Sequence, residues 1–272
     1  MSATVCFRIA APEGEREGLI ADLYSYECLG IWEAHGELVA YFSESVQPEP
    51  LLALADPVRG IRVAGPEGVP DRDWEARWRE GLAPRRVGPL WVRPSWFESP
   101  GEPELVIDPK QAFGSGEHAT TRLALELVLG ALRPGDWVLD VGTGSGILGL
   151  AALRCGAAFA LGHDNDPVAC RNAAENRANN ELPLALYCGT LDALAEGSEF
   201  DLVVANMLSG RLLPWRGRLS AVCKRDLVLS GYLEQEVDTV EGALLQQGWT
   251  LATSRREGQS GDVWCAAHLV HD

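Results

Sequence analysis

The stretch Val138-Leu-Asp-Val-Gly-Thr-Gly-Ser-Gly-Ile-Leu-Gly149 decides the fold of the second part of this chain. An apolar run typical of a buried strand leads into glycines at 142, 144 and 146, and a helical pattern follows. Glycine allows a ligand to approach the backbone closely because it has no Cβ atom. A dinucleotide fingerprint needs G-x-G-x-x-G, whereas this turn reads G-x-G-x-G, so a pyrophosphate ligand is disfavoured. A turn that merely joins a strand to a helix is the alternative.

Two of the strands predicted after the glycine turn each end in a polar side chain. Asp164 ends the next apolar strand, 22 residues after Gly142, where a carboxylate can accept hydrogen bonds from both hydroxyls of a ribose. Asn206 ends the strand Phe-Asp-Leu-Val-Val-Ala-Asn. Open α/β sheets bind ligands at the carboxyl ends of their strands, so both residues are candidate ligand contacts. The alternatives are that Asp164 is a solvated acid at a strand end and that Asn206 is an ordinary turn residue. Asp166 and Pro167 predict a helix cap and first turn.

A glycine-punctuated loop precedes the first helix of this region. It reads Ile107-Asp-Pro-Lys-Gln-Ala-Phe113-Gly-Ser-Gly116-Glu-His118-Ala-Thr-Thr121. The loop offers hydroxyls, backbone amides and one aromatic ring. It can therefore close over a ligand that lies on the glycine turn, and His118 is the nearest candidate for a general base.

The pattern divides the chain into three parts. Residues 1–65 read as β-α-β-β-α-β, the order of a ferredoxin-like unit. Residues 66–104 hold seven of the 16 prolines and four of the nine tryptophans, which indicates a structured connector that docks on the following domain. In residues 105–272 strands and helices alternate, which predicts a parallel sheet covered on both faces. Two final strands around a Gly-Gln-Ser-Gly turn predict one antiparallel strand in that sheet.

Composition and charge exclude several classes of protein. Apolar residues make up 46% and charged residues 23%, as in ordinary globular proteins. The net charge is −16, from 39 acids and 23 bases, so nucleic acid is not expected as a direct partner. The start of the chain lacks the basic and apolar segments of a signal peptide, and no apolar run is long enough to span a bilayer. We expect a cytoplasmic monomer that does not bind membranes.

The seven cysteines are scattered, and none of them forms a C-x-x-C pair. This odd number and irregular spacing argue against both a disulfide framework and a zinc cluster. The sequence therefore predicts reduced thiols and no metal site.

The loop and the strand ends together resemble one known family. The motifs that carry the resemblance are the loop 107–121, VLDVGTGSGILGLAA, GHDNDP, NAAENRANN, VVANML and LVLSGYL, with the D-W-x-x-x-W connector before them. They are similar to those of the bacterial ribosomal protein L11 lysine methyltransferases, over essentially the whole chain. The resemblance implies the seven-stranded, mostly parallel sheet of a class I methyltransferase, preceded by a ferredoxin-like domain that recognises the substrate.

The resemblance also implies the donor, S-adenosylmethionine, and the residues that hold it. The contacts that it carries onto this chain are Thr121, Gly142, Gly144, Asp164 and Asn206. The lid over the donor would consist of Phe113 and the backbone of Gly114 and Gly116.

The acceptor implied by the resemblance is an amine of a large-subunit ribosomal protein. Methyltransferases that act on amides or adenine carry an Asn/Asp-Pro-Pro-aromatic motif, where this chain has Met207, Leu208 and Ser209 after Asn206. An amine acceptor is therefore favoured: lysine side chains, with the N-terminal amine as a further acceptor. Methyl transfer to a neutral amine depends mainly on positioning, so no dedicated catalytic base is expected. Asn206 and His118 are the candidates near the acceptor.

Three alternatives stay open at this point. The first is a methyltransferase of the same fold that acts on another protein or on a small amine. The second is a nicotinamide-dependent oxidoreductase, which the missing fingerprint glycine disfavours. The third is a binding protein that keeps the scaffold without the activity.

Overall fold

The computed structural model describes residues 4–26, 28–34, 37–69, 83–108, 118–258 and 263–271. The chain divides into two compact units, Met1–Leu82 and Ala83–Asp272. Trp74 and Trp78 of the predicted connector and the lid residues Phe113, Gly114 and Gly116 lie outside the described residues.

The first unit is a four-stranded antiparallel sheet with two helices. Its elements are β1 (Thr4–Ala10), α1 (Glu13–Ser25), β2 (Gly30–Ala34), β3 (Glu37–Ser43), α2 (Pro48–Leu52) and β4 (Arg62–Val69). The strand order β2-β3-β1-β4, with every neighbouring pair antiparallel, is the ferredoxin-like arrangement, as predicted. Alternate residues of β1 and β3 form the core, where the rings of Phe7 and Phe42 meet edge to face at 5.6 Å.

The second unit is built on a seven-stranded sheet. Its strands are β8 (Trp137–Val141), β9 (Phe159–Asp164), β10 (Ala185–Cys188), β11 (Phe200–Asn206), β12 (Cys223–Leu233), β13 (Thr250–Glu257) and β14 (Trp264–Val270). They lie in the order β10-β9-β8-β11-β12-β14-β13. Among the described strands of this sheet, β14 pairs antiparallel with β12 and β13 and all other pairs are parallel, which confirms the predicted class I methyltransferase arrangement.

Helices cover both faces of this sheet. They are α3 (Ala119–Ala131), α4 (Ile147–Arg154), α5 (Pro167–Asn180), α6 (Ser209–Leu212), α7 (Arg216–Val222) and α8 (Val237–Leu245). Between α6 and α7 the chain forms a 3₁₀ turn, Leu213–Trp215, because Pro214 lacks the N–H that a helix interior needs. No helix in the described part of the chain has the length and apolar character needed to cross a membrane.

A small three-stranded sheet completes the second unit. It contains β5 (Arg85–Val87), β6 (Leu90–Arg93) and β7 (Glu104–Val106), and its buried side chains join the core beneath α3 and α4. Buried asparagines of α5 hold the chain that follows β7. Asn180 Oδ1 accepts the Val106 N–H at 2.8 Å, and Asn176 Oδ1 accepts the Asp108 N–H at 3.0 Å. The NAAENRANN motif therefore fixes the backbone at Val106 and Asp108.

Candidate active site at the carboxyl edge of the sheet

The glycine turn follows β8 at the point where the strand order changes direction. Gly142, Gly144 and Gly146 all lie in the left-handed region, with φ of 71°, 54° and 83°. A Cβ atom on Gly142 would stand only 3.0 Å from the methyl carbon of Met207. Both the backbone angle and this close approach favour glycine, which explains the motif physically.

Asp140 anchors the glycine turn from within β8, a role that the sequence analysis missed. Its Oδ2 accepts the Thr143 hydroxyl at 2.7 Å and the Gly149 N–H at 3.1 Å. Its Oδ1 is buried and has no hydrogen-bond partner among the described residues. Burial, together with a smaller effect of the nearby Asp164 carboxylate, raises the pKa of Asp140 to about 6. An acid inside an otherwise apolar strand was the available signal.

Asp164 ends β9 beside the glycine turn. Its carboxylate accepts the Gly144 N–H at 3.1 Å and the Asp166 N–H at 3.0 Å. A carboxylate has about four lone-pair directions, so these two bonds leave capacity for two hydroxyl donors. Asp166 caps α5 by accepting the Val168 N–H at 2.8 Å, which confirms its predicted role. Asp164 is therefore available for a ligand while Asp166 serves the helix.

Thr121 and Asn206 meet at the same edge of the sheet, although 85 residues separate them in the chain. The Asn206 amide nitrogen donates to the Thr121 hydroxyl at 3.4 Å. Its Oδ1 is buried without a hydrogen-bond partner in the part of the chain that the structure describes. The first turn of α3 is held close by Ser230, whose hydroxyl donates to the Thr120 carbonyl at 2.9 Å. These contacts hold the side-chain amide of Asn206 in place and leave its Oδ1 able to accept a hydrogen bond from a ligand.

The segment after Asn206 is clamped against the end of β12. The Met207 N–H donates to the Ser230 carbonyl at 3.0 Å. Glu236 accepts two further hydrogen bonds. The Ser209 hydroxyl donates to its Oε1, and the Leu233 N–H donates to its Oε2 at 2.8 Å. These contacts fix the backbone beside Asn206, and no local sequence pattern indicates them.

Replacing Gly231 with alanine is expected to destabilise the second unit by roughly 2–3 kcal/mol, because φ is positive and the space is filled. Gly231 has φ of 95°, and its Cβ would stand 2.6 Å from the Met207 carbonyl oxygen. Urea unfolding would measure the loss. Gly242→Ala is the matched control, because Gly242 lies in α8 with no atom within 4 Å of its Cβ position. Equal stability of the two variants would contradict the clamp.

His118 caps α3 in the structure. Its Nδ1 lies 2.8 Å from the Thr120 hydroxyl, and its ring contacts Trp264 edge to face at 5.1 Å. Burial lowers the pKa of His118, so the neutral ring is favoured. These contacts give His118 a structural function, and its service as a base stays a prediction.

The arrangement fits a nucleoside ligand that carries hydrogen-bond donors. The glycine turn exposes backbone, Asp164 offers a carboxylate for ribose hydroxyls, and Asn206 presents an orphaned buried oxygen. These features suit S-adenosylmethionine, the donor implied by the resemblance. The described residues include no group of three His, Cys, Asp or Glu side chains that could hold a metal ion.

Comparisons with known proteins agree with this geometry. The family model described as ribosomal protein L11 methyltransferase (PrmA) matches residues 11–271. A ribosomal protein L11 methyltransferase of Thermus thermophilus is 37% identical over 245 residues, which cover 89% of this chain and 91% of that protein. One from Myxococcus xanthus is 40% identical over 195 residues, covering 70% of this chain and 67% of that protein.

A solved structure gives the same picture. The ribosomal protein L11 methylase of Lactobacillus delbrueckii subsp. bulgaricus superposes with a TM-score of 0.63 at 29% identity, covering 70% of this chain and 98% of that one. The chain belongs to the ribosomal protein L11 methyltransferase family and is an S-adenosylmethionine-dependent protein methyltransferase.

Proposed function

We propose that this enzyme methylates amines of ribosomal protein L11: lysine side chains, with the N-terminal amine as a further acceptor. The observation that carries the proposal is the extent of the family match, which runs from residue 11 to residue 271 and so includes both units. The Thermus thermophilus relative, which is named for this substrate, aligns with 89% of the chain. The segment Met207-Leu208-Ser209 after Asn206 also favours an amine acceptor over an amide or a base.

We place the donor on the carboxyl edge of the sheet. Asp164 would accept its ribose hydroxyls, and the backbone at Gly142 and Gly144 would lie against it. Thr121 and Asn206 would hold its reactive end. The lid residues Phe113, Gly114 and Gly116 complete the proposed contacts. The hydrogen bonds of Asp164 and the unpartnered oxygen of Asn206 support this placement.

The chain's own residues mainly position the acceptor. Bound S-adenosylmethionine supplies an electrophilic methyl group that a neutral amine can accept. Asn206 Oδ1 would accept one N–H of the amine and so aim the nitrogen lone pair, while Thr121 holds the amide in place. A lysine reaches the neutral form because exclusion from water lowers its pKa. This division of work needs no dedicated base, although His118 lies close to Thr121 in the chain.

The substrate is tested by labelling an extract from cells that lack this enzyme. Purified enzyme and S-adenosylmethionine with a radioactive methyl group are expected to label L11 in that extract, and purified L11 as well. Label in a different protein, or in small molecules alone, would instead favour the alternative of a same-fold methyltransferase with another acceptor. Labelling by heat-inactivated enzyme is the control.

We assign substrate recognition to the ferredoxin-like domain, residues 1–65, and the connector role to residues 66–104. All proposed donor contacts lie after residue 105 in the sequence. The two units have separate buried clusters, which supports independent folding. The monomeric state, the cytoplasmic location and the absence of nucleic-acid binding stay predictions from composition and charge.

A variant that begins at Ala83 is expected to bind S-adenosylmethionine with unchanged affinity and to lose methylation of intact L11. The reason is that a surface outside the donor-binding unit must hold the protein substrate against the site. Calorimetry measures donor binding, circular dichroism checks folding, and radiolabel incorporation measures activity. Normal methylation of L11 by a folded truncated variant would show that the first unit does not select the substrate.

A further inference from the structure

Two cysteines meet beside the proposed ribose carboxylate. Cys170, in α5, donates its S–H to the carbonyl oxygen of Asp164 at 3.4 Å and lies 3.8 Å from the Tyr187 carbonyl oxygen. Cys188, the last residue of β10, is the parallel-strand partner of Asp164. The thiols of Cys170 and Cys188 also interact directly with each other. Neither residue has a role in the proposed transfer.

The two thiols differ in exposure. Cys188 is the one exposed cysteine of the seven, all of which lie in the described residues, and Cys170 is half-buried. Burial, and then the neighbouring Cys188, raise the pKa of Cys170 to about 11. Cys170 therefore stays protonated, and an oxidant in solution meets the Cys188 thiol first.

We propose that Cys170 and Cys188 form an oxidation site at which a hydroperoxide converts the two thiols into an intramolecular disulfide. The Cys188 thiolate attacks one peroxide oxygen, which breaks the O–O bond and leaves Cys188 sulfenic acid and hydroxide. The Cys170 sulfur then attacks the sulfenic sulfur of Cys188 while its thiol proton passes to the sulfenic oxygen, so the S–O bond breaks and water leaves. With hydrogen peroxide, two thiols and one peroxide give one disulfide and two water molecules, so two electrons pass from sulfur to oxygen.

The disulfide acts on the donor site through Asp164. Forming it removes the S–H that Cys170 donates to the Asp164 carbonyl, whose other donor is the Gly189 N–H at 2.8 Å. It also links α5 to β10 across the end of β9. The Asp164 carboxylate is shared between the glycine turn and the start of α5, so a shift of α5 disturbs both contacts. This consequence rests on the proposed ribose role of Asp164.

The test treats the full-length enzyme with hydrogen peroxide and follows mass and affinity together. Intact mass is expected to fall by two hydrogen atoms, and peptide mapping without reductant is expected to link Cys170 to Cys188. S-adenosylmethionine affinity is expected to weaken roughly tenfold, the effect of losing about one hydrogen bond to a charged group, and to return with dithiothreitol. Cys188→Ser and Cys170→Ser should keep the affinity of the reduced enzyme and lose its sensitivity to peroxide.

Cys155→Ser is the matched control, because Cys155 is half-buried like Cys170 but lies in a different segment. It should oxidise as the unchanged enzyme does. Absence of the linked peptide, or further oxidation of Cys188 alone, would overturn the site. A linked peptide with unchanged donor affinity would overturn its action on the donor site. Methylation of L11 by the reduced enzyme tests the proposed function separately, since disulfide formation requires no acceptor.

Discussion

Asp164→Ala is expected to weaken S-adenosylmethionine binding by roughly ten- to a hundredfold while the protein stays folded. Hydrogen bonds to a charged acceptor contribute about 1.5–3 kcal/mol, and about 1.4 kcal/mol corresponds to tenfold in affinity. The same substitution removes the acceptor for the Gly144 and Asp166 N–H groups, so the glycine turn loses one of its supports. Isothermal titration calorimetry measures the affinity, and thermal unfolding reports the effect on the fold.

Two further variants separate the effect of the Asp164 charge from the effect of its hydrogen bonds to the glycine turn and the start of α5. Asp164→Asn keeps one acceptor oxygen but no charge, so its affinity should fall between those of the original enzyme and Asp164→Ala. Asp166→Asn is the control, because an asparagine can still cap α5 and Asp166 lies outside the proposed contacts. An unchanged dissociation constant in folded Asp164→Ala would show that this carboxylate does not hold the ribose.

Much of the fold could be predicted because its signals are local. The glycine turn after β8 needs positive φ values that glycine alone adopts readily, so the sequence pattern and the backbone geometry correspond residue by residue. The spacing of apolar residues predicted the alternation of strands and helices in the second unit. The last two strands of the sequence, β13 and β14, predicted its antiparallel strand. Asp164 and Asn206 could be selected because each ends a parallel strand, and such ends share one edge.

The remaining features depend on contacts between distant segments. The Ser209 hydroxyl bonds to Glu236, 27 residues away, and nothing local in either sequence indicates the pair. Gly231 looks like any glycine in a strand until the Met207 carbonyl is found against it. Asp140 could be recognised as an unusual acid in an apolar strand. The groups that donate to it, the Thr143 hydroxyl and the Gly149 N–H, could not be predicted, because they reach it only when the turn folds back over β8. Local patterns thus locate the candidate site, while tertiary contacts explain how it is held.

Asn206→Ala is expected to lower kcat for methyl transfer by roughly a hundredfold, the usual effect of removing one preorganised polar group beside a reacting atom. The amide is held by the Thr121 hydroxyl, and its oxygen is buried without a partner among the described residues. That oxygen can aim the acceptor amine without any cost of reorganisation. Donor affinity should change less than kcat, since Asp164 and the glycine turn provide most of the proposed contacts. Single-turnover kinetics on purified L11 separates the two effects.

Thr121→Val tests how the amide is held. The variant keeps the shape of the side chain but removes the hydroxyl acceptor of the Asn206 amide, so we expect kcat to fall by about tenfold, less than in Asn206→Ala. Thr250→Val is the matched control, because Thr250 is an exposed threonine at the start of β13 that lies outside the proposed contacts. Normal kcat in Asn206→Ala would remove Asn206 from the transfer step. A loss confined to donor affinity would make Asn206 a cofactor contact only, and the acceptor amine would then have to be aligned by another group.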